Sequence, residues 1–414
     1  MLLSNTHTIA NLLTTNCAIN VDFSDVCTDT RQRMDGALFI ALVGDNFDAH
    51  DYINQAQKMG AVAIVVSKQV DTDLPTLLVE NTQNALSAIA RWHLQNIKPT
   101  VIAITGSNGK TTTKNMLKNI LDLNAPTLAT QGNFNNHLGV PMTLLNLEPK
   151  HQYAVIEMGA NHLGEITHLC SIVAPDIALV TNTLDAHIGE FGGFDNLVKA
   201  KGEIYTQNSK KITNTATGFS GDISFGNGGD IFAKNIDNNQ FELTIFNEKI
   251  EVKLQLLGRH NIDNALAAST CAYALGIEIS LIKQGLENTV AEKGRLNVTQ
   301  YANLTIIDDS YNASPSSSKY ALEVLSHFTG EKIAILGQMA ELGDKSDDYH
   351  TQIGKFAKSL NIDYLYSYQS DYGVKNFNNE AELIKTLKQH TNATLLFKGS
   401  RIAKLEKIIK RLCV

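Results

Sequence analysis

The chain has no excess of positive charge. Its 35 Lys and Arg stand against 42 Asp and Glu, a net −7 at neutral pH, so no general basic surface exists to hold nucleic acid or anionic lipid. A polyanionic ligand must therefore be met locally, by a few cations, backbone N–H groups and metal ions. Cysteine is sparse and scattered: Cys17, Cys27, Cys170, Cys271 and Cys413 form no C-x-x-C pair. An odd, dispersed set suits reduced thiols in a cytosolic protein better than a disulfide framework. Long apolar runs are missing as well. The stretch "AVAIVV" (Ala61–Val66) is strand-length, far short of the ~20 residues a membrane span needs. At the amino terminus "MLLSNTHTIANLL" has neither a basic segment nor an unbroken apolar core, so no signal peptide is expected. The expectation is a soluble, cytoplasmic protein without membrane insertion, and monomeric by default.

What is present is an apolar share of 43% over 414 residues, ample for packed cores in about two to four domains. Three regions separate. Residues 1–98 mix short strands and helices and close on the helical pattern "NALSAIARWHLQNIK", stopped by Pro99. Residues 99–296 carry the buried-strand runs "VIAIT", "YAVIEMG" and "DIALVTN" between helical patterns. Within them "FELTIFNEKIEVKLQL" alternates, with Phe241, Leu243 and Ile245 on one face, which predicts an antiparallel hairpin turning at Asn247-Glu248. Residues 297–414 alternate strand and helix through "TIIDD", "KIAILG", "DYLYSY" and "TLLFKG", the pattern of a parallel, doubly wound sheet. Ligands of such sheets lie beyond the carboxyl ends of the strands, here "DDSYNASP", "GQMAELGD" and "KGSR". The fold class is α/β throughout.

The most informative stretch is "VIAITGSNGKTTTK", Val101–Lys114. A buried-strand run leads into a glycine loop, and Met116, Leu117, Ile120 and Leu121 then recur at helical spacing. Strand, glycine loop and helix aim several N–H groups and a helix N-terminus at a phosphate. Lys110 would reach the β/γ-phosphates, and the Thr111 hydroxyl would ligate Mg²⁺. The usual phosphate loop has a first glycine where this chain has Ile104. Downstream, Glu157 ends one strand, while His187 and Lys201 follow another, and these are candidate Mg²⁺ ligands.

The segments "TGSNGKTTTK", "TQGNFNNHLGVPMTLL", "EMGANHLGEI", "NTLDAHIGEFGG", "KAKGEIY", "GRHNIDNALAA", "DDSYNASPSS", "GQMAELGD" and "FKGSR" run in that order along nearly the whole chain. Together they closely resemble the Mur ligases of peptidoglycan synthesis, a family whose loop also lacks the first glycine. The segment "DTRQRMDGALFIALVGDNFDAHDYINQA" looks like the uridine-nucleotide-binding domain of these enzymes. "DDSYNASP" and "GQMAELG" resemble the branch that adds D-alanyl-D-alanine rather than a single amino acid. The resemblance implies three domains: a uridine-nucleotide-binding α/β domain, a central phosphate-loop ATPase domain with a mostly parallel sheet, and a Rossmann-like domain.

It further implies ATP-dependent ligation of D-alanyl-D-alanine to UDP-N-acetylmuramoyl-tripeptide through an acyl phosphate. Gly106, Ser107, Asn108, Gly109, Lys110, Thr111 and Thr112 would hold the ATP phosphates, and Asn261, Arg295 and Asp309 would meet adenine, phosphate and ribose. Thr111 and Glu157 would hold one Mg²⁺, with His187 and Lys201 placing a second. A protonated lysine has no lone pair for a metal, and the family's matching lysine is carbamylated, which the resemblance carries to Lys201. Thr30 and Arg31 would face the uridine diphosphate. Asn135 and Asn136 would lie near the phosphates or the acceptor carboxylate, and Asn312 and Arg401 on the dipeptide side. Closure of the three domains around the ligands is expected. One departure stands out: "ITNTATGFSGD" keeps Asn214 but lacks the acidic residues that usually follow it in the family. The rival readings are a ligase adding one amino acid, a folylpolyglutamate synthase-like ligase, and an ATP-driven switch without ligase activity. The folate enzyme's loop lies close to its start, unlike this one.

Overall fold

The structure, a computed structural model, describes residues 4–185 and 188–413. Near the amino terminus, Asp25–Cys27 (β1), Ala37–Ile40 (β2), Ala61–Val66 (β3) and Thr76–Leu78 (β4) form a four-stranded parallel sheet in that order. The helix Thr82–Ile97 (α1) follows. Asn81 caps it by accepting the amides of Gln83 and Asn84, and Lys98 ends it at φ +56 before Pro99. Its buried residues Leu86, Ile89 and Leu94 share one apolar cluster with Leu38 and Val65 on one side and Val140, Leu144 and Ile166 on the other. The helix therefore joins the first sheet's core to the next one, whose burial fixes both together.

The central sheet has nine strands. Chain order gives Thr100–Thr105 (β5), Thr127–Ala129 (β6), Tyr153–Glu157 (β7), Ile177–Val180 (β8), Lys210–Asn214 (β9), Ile223–Phe225 (β10), Ile231–Asp237 (β11), Gln240–Ile245 (β12) and Glu248–Lys253 (β13). Their spatial order is β6-β7-β5-β8-β9-β10-β11-β12-β13, parallel up to β11 and antiparallel beyond it. β5 is central and covered on both faces, which explains the unbroken apolar run Val101–Ile104. The helix Lys110–Asp122 (α2) buries Met116, Leu117, Ile120 and Leu121, the face its spacing predicts. At the sheet's far end Phe241, Leu243 and Ile245 are buried as expected. The hairpin turns one residue earlier than predicted, at Phe246-Asn247, because Ile245 pairs Glu248 and Phe246 takes φ +50.

The third sheet comprises Asn297–Tyr301 (β14), Leu304–Asp309 (β15), Glu331–Gly337 (β16), Tyr364–Tyr368 (β17), Lys375–Phe377 (β18) and Ala393–Lys398 (β19), in the order β14-β15-β19-β16-β17-β18. All its pairs are parallel except β14-β15. β19, last in the chain, lies between β15 and β16. The strand order reverses there, so the crevice between the diverging loops opens at the carboxyl ends of β15, β19 and β16. Two helices matter below: Arg259–Ala274 (α3), and Pro315–Ser326 (α4), whose Ser314 and Ser317 form a capping box.

Candidate active site

Residues 106–109 turn the chain from β5 into α2. Gly106 sits at φ +146 and Gly109 at φ +80, both awkward for side-chain-bearing residues. A Cβ at Gly106 would lie 2.0 Å from Thr181 Oγ1, and one at Gly109 would lie 2.1 Å from Asn264 Oδ1. The end of β8 grips the loop. Ser107 N donates to the Asn182 carbonyl (3.0 Å), Asn108 N to Asn182 Oδ1 (2.9 Å), and Thr181 Oγ1 to the Asn108 carbonyl (2.7 Å). Lys110 folds back over the loop, its Nζ donating to the carbonyls of Gly106 (2.7 Å) and Ser107 (3.1 Å). Burial holds its ammonium below the usual lysine range, against the pull of Glu157.

Beside the loop, Glu157 ends β7 and is 2% exposed. Thr111 Oγ1 donates to its Oε2 (2.9 Å), and Asn135 Nδ2 to its Oε1 (2.8 Å). The Lys114 Nζ lies 3.9 Å from Oε2. Lys114 was not singled out from sequence, where a lysine reads as a solvated side chain. Its position one turn after Lys110, on the apolar face of α2, was the available signal. The Thr111 hydroxyl and Glu157 carboxylate oxygens gathered here are the hard donors that Mg²⁺ prefers.

A cavity of about 450 Å³ opens in front of this cluster, lined by both the central and the third sheet's segments. Of the anticipated residues it brings together Ser107, Asn108, Gly109, Lys110, Thr111, Thr112, Asn135, Glu157, Asn261, Arg295, Asp309 and Asn312. Asn261 is buried at the start of α3 and donates to the Leu257 carbonyl (2.7 Å). The Arg295 guanidinium lies over the Tyr311 ring, 4.2 Å from its centroid. Asp309 pairs with Lys398 at 2.6 Å; burial raises its carboxyl above the usual range while Lys398 opposes the shift. The wall also includes residues that the sequence did not single out. His260 stacks on Tyr320 with centroids 5.0 Å apart. Asn108, on the same wall, donates from Nδ2 to Oγ of Ser316, which does not itself line the cavity (2.9 Å). This bond ties the glycine loop directly to the first turn of α4.

Other anticipated residues stand outside the cavity wall. Asn136 Oδ1 accepts the amides of Leu138 (3.2 Å) and Gly139 (2.8 Å), closing a local turn. Arg401 is exposed, and its guanidinium also lies over the site's Tyr311, 5.8 Å from the ring centroid. Thr30 is buried, its carbonyl accepting from Gln55 Nε2. Arg31 has its side chain 86% exposed and paired to Asp29, which is held down at about 2 by that guanidinium. His187 lies outside the described residues. Lys201, on the helix Phe194–Gly202, is 2% exposed. Its Nζ reaches the Ala160 carbonyl (3.3 Å) and lies over the Phe191 ring (5.0 Å). Burial first, then repulsion from Lys110, lowers its ammonium from 10.5 to about 7. The acid-poor segment is accommodated by Asn214 itself, whose Nδ2 donates to the Thr181 carbonyl (2.8 Å), leaving Ala216 on the cavity wall.

The family model of the Mur ligase middle domain matches residues 104–272, and that of the Mur ligase glutamate ligase domain matches residues 294–413. The UDP-N-acetylmuramoyl-tripeptide--D-alanyl-D-alanine ligase of Escherichia coli K12 is 39% identical to this chain, over 95% of it and 94% of that protein. The chain belongs to the Mur ligase family. Among solved Mur ligases, a crystal structure of MurF from Acinetobacter baumannii superposes with a TM-score of 0.94 at 36% identity, covering 99% of both chains. The MurF ligase from Thermotoga maritima in complex with ADP superposes with a TM-score of 0.86 at 29% identity, covering 97% of this chain and 98% of that one. The glycine loop, Glu157 and the cavity between the two sheets thus belong to a Mur ligase whose architecture is α/β throughout.

Proposed function

We propose that this Mur ligase joins D-alanyl-D-alanine to UDP-N-acetylmuramoyl-tripeptide at the expense of ATP, giving the UDP-linked pentapeptide, ADP and phosphate in peptidoglycan precursor synthesis. The observation that carries this reading is full-length similarity to ligases of that name, 39% for the Escherichia coli protein and 31% for that of Bacillus subtilis, together with a phosphate loop facing a two-sheet cavity. The related Thermotoga maritima ligase was crystallised with ADP, which supports nucleotide binding by this chain. No helix among the described residues is long and apolar enough to cross a membrane, and we place the enzyme in the cytoplasm, as a monomer.

A carboxylate is a poor acceptor for an amine. In the proposed reaction a substrate carboxylate oxygen attacks the γ-phosphorus of ATP, and the bond to ADP breaks. The dipeptide amine then attacks the acyl carbon, loses a proton, and the tetrahedral intermediate collapses with loss of phosphate. The chain's tasks are alignment, exclusion of water and neutralisation of charge. Lys110 and the glycine loop, residues 106–112, hold the phosphates, the Ser107 and Asn108 amides being already donated to Asn182; Asn261, Arg295 and Asp309 hold the nucleoside end. Asn135 and Asn136 serve the acceptor carboxylate, Asn312 and Arg401 the dipeptide, and Thr30 and Arg31 the uridine diphosphate.

Mg²⁺ would supply Lewis-acid stabilisation of the transferring phosphoryl group. Thr111 and Glu157 would hold one ion, and His187 with a carbamylated Lys201 a second. An amine lowered to about 7 is substantially unprotonated at neutral pH, and carbamate formation needs the free amine, which supports that assignment. The test is incubation with ATP, UDP-N-acetylmuramoyl-tripeptide and each candidate amine, read by phosphate release and product mass. Phosphate release driven by D-alanyl-D-alanine alone is expected; equal stimulation by a single amino acid moves the protein to a sibling activity.

A further inference from the structure

Lys398 closes β19 at the point where the third sheet's strand order reverses. Its side chain is 4% exposed. One bond runs from Nζ to Asp309 Oδ2 (2.6 Å), directly across the β15/β19 pair, and another to the Asn312 carbonyl (2.8 Å). The second Asp309 oxygen, Oδ1, accepts the Leu296 amide at 3.1 Å. A single ammonium thus ties together the segment entering β14, the end of β15, and the loop that leads to α4. The strand end "KGSR" that carries Arg401 continues from it.

Two simpler roles fit less well. An ion pair this deeply buried gives little net stability over apolar residues of the same volume, so bulk stability is a weak reason for a lysine here. Nor is Lys398 a free cation for phosphate, since Asp309 already neutralises it at 2.6 Å. What the pair does provide is fixed geometry between the two ends of the cavity.

We propose that Lys398 is a positioning residue coupling the nucleotide side of the cavity, through Asp309, to the dipeptide side, through the Asn312 loop and Arg401. This rests on the functional reading above. A nucleotide that orders Asp309 orders Lys398 with it, and Lys398 in turn holds the Asn312 carbonyl and the start of the Arg401 segment. Coupling of this kind is reciprocal: each ligand tightens the other by the same factor.

The experiment titrates the non-hydrolysable nucleotide AMP-PNP into the full-length protein with UDP-N-acetylmuramoyl-tripeptide present, with and without saturating D-alanyl-D-alanine. Wild type should show the dipeptide tightening AMP-PNP by about tenfold, within the usual range for coupled sites. In Lys398→Met this factor should fall to about one, and the KM for dipeptide should rise by a similar factor with kcat changing less. Lys398→Arg should recover part of the coupling, because a guanidinium can serve both oxygens. Asp309→Asn/Lys398→Met replaces the ion pair by neutral groups of similar size. It should couple no worse than Lys398→Met, since both act on one link, and it carries the measurement if the single variant does not fold. Wild-type coupling in Lys398→Met or in the double variant overturns the inference while leaving the ligase reading intact. A wild type that binds AMP-PNP and never ligates D-alanyl-D-alanine overturns that reading, and the inference with it.

Discussion

Replacing Lys201 by Met removes a buried amine while keeping a side chain of similar length. In the folded protein the ammonium is lowered from 10.5 to about 7, so between these values the unfolded chain holds a proton that the folded chain has released. The cost of burying the amine is therefore fully present below about pH 7 and is relieved as pH rises toward 10.5. The slope approaches ~1.4 kcal/mol per pH unit above the folded value. Wild type should thus gain roughly 2 kcal/mol of stability between pH 7 and pH 9 relative to Lys201→Met. At pH 7 the variant should be the more stable by up to ~4 kcal/mol, less whatever its lost bond to the Ala160 carbonyl contributes. Urea unfolding of both proteins across this pH range, without nucleotide or bicarbonate, measures the difference and cancels the other titrating groups. Parallel curves would mean that Lys201 titrates as an ordinary lysine, and the case for a reactive free amine would go with them. The same variants test the chemistry: Lys201→Met and Lys201→Arg should both fail to ligate, and depletion of CO₂ and bicarbonate should lower wild-type activity. A fully active arginine variant refutes the carbamate.

Lys110→Ala should lower the ligation rate by roughly 10²–10³, the cost of one preorganised donor to developing charge, with an unchanged circular dichroism spectrum; near-wild-type turnover removes the loop from the mechanism. Gly106→Ala should abolish nucleotide binding in calorimetry and lower stability by ~1–3 kcal/mol, because its Cβ would meet Thr181 Oγ1 at 2.0 Å. Retention of wild-type affinity would show that the loop can re-form around a methyl group. Arg31→Ala should leave the urea midpoint within ~0.5 kcal/mol of wild type, as expected of a side chain 86% exposed, while raising the KM for the uridine nucleotide severalfold. An unchanged KM would detach Arg31 from that substrate.

Much of the fold was legible because its signals are local. Burial on both faces of a parallel strand demands an unbroken apolar run, and Val101–Ile104 has one. Helical recurrence set the inner face of α2, and alternation set the buried face of β12. The turn beyond β12 was placed one residue late because Phe246 takes φ +50, which bulky residues rarely do. The cavity wall was legible where chemistry and chain order coincide, as in Gly109, Lys110 and Thr111, or where a motif singled the residue out, as for Glu157 and Asp309. Asn136 shows what composition does not supply: its side-chain oxygen serves two nearby amides, so the amide nitrogen is the group left for the proposed contact with the acceptor carboxylate. Lys114 shows it from the other side: its burial arises because α2 presses it against Glu157.

By itself the sequence determined the α/β character, the strand–glycine loop–helix unit and the family, since each is written in contiguous residues. Tertiary structure alone decided which distant segments meet. It inserted the last strand, β19, between β15 and β16, and so set Lys398 against Asp309 across 89 positions of chain. It also brought Ser316 to Asn108 and Asn135 to Glu157. Strand order depends on which buried faces and crossovers can be satisfied at once, and no residue's own preference encodes it. A lysine's charge is local information; whether that charge is solvated, paired or lowered to about 7, as at Lys201, depends on what the folded chain packs around it.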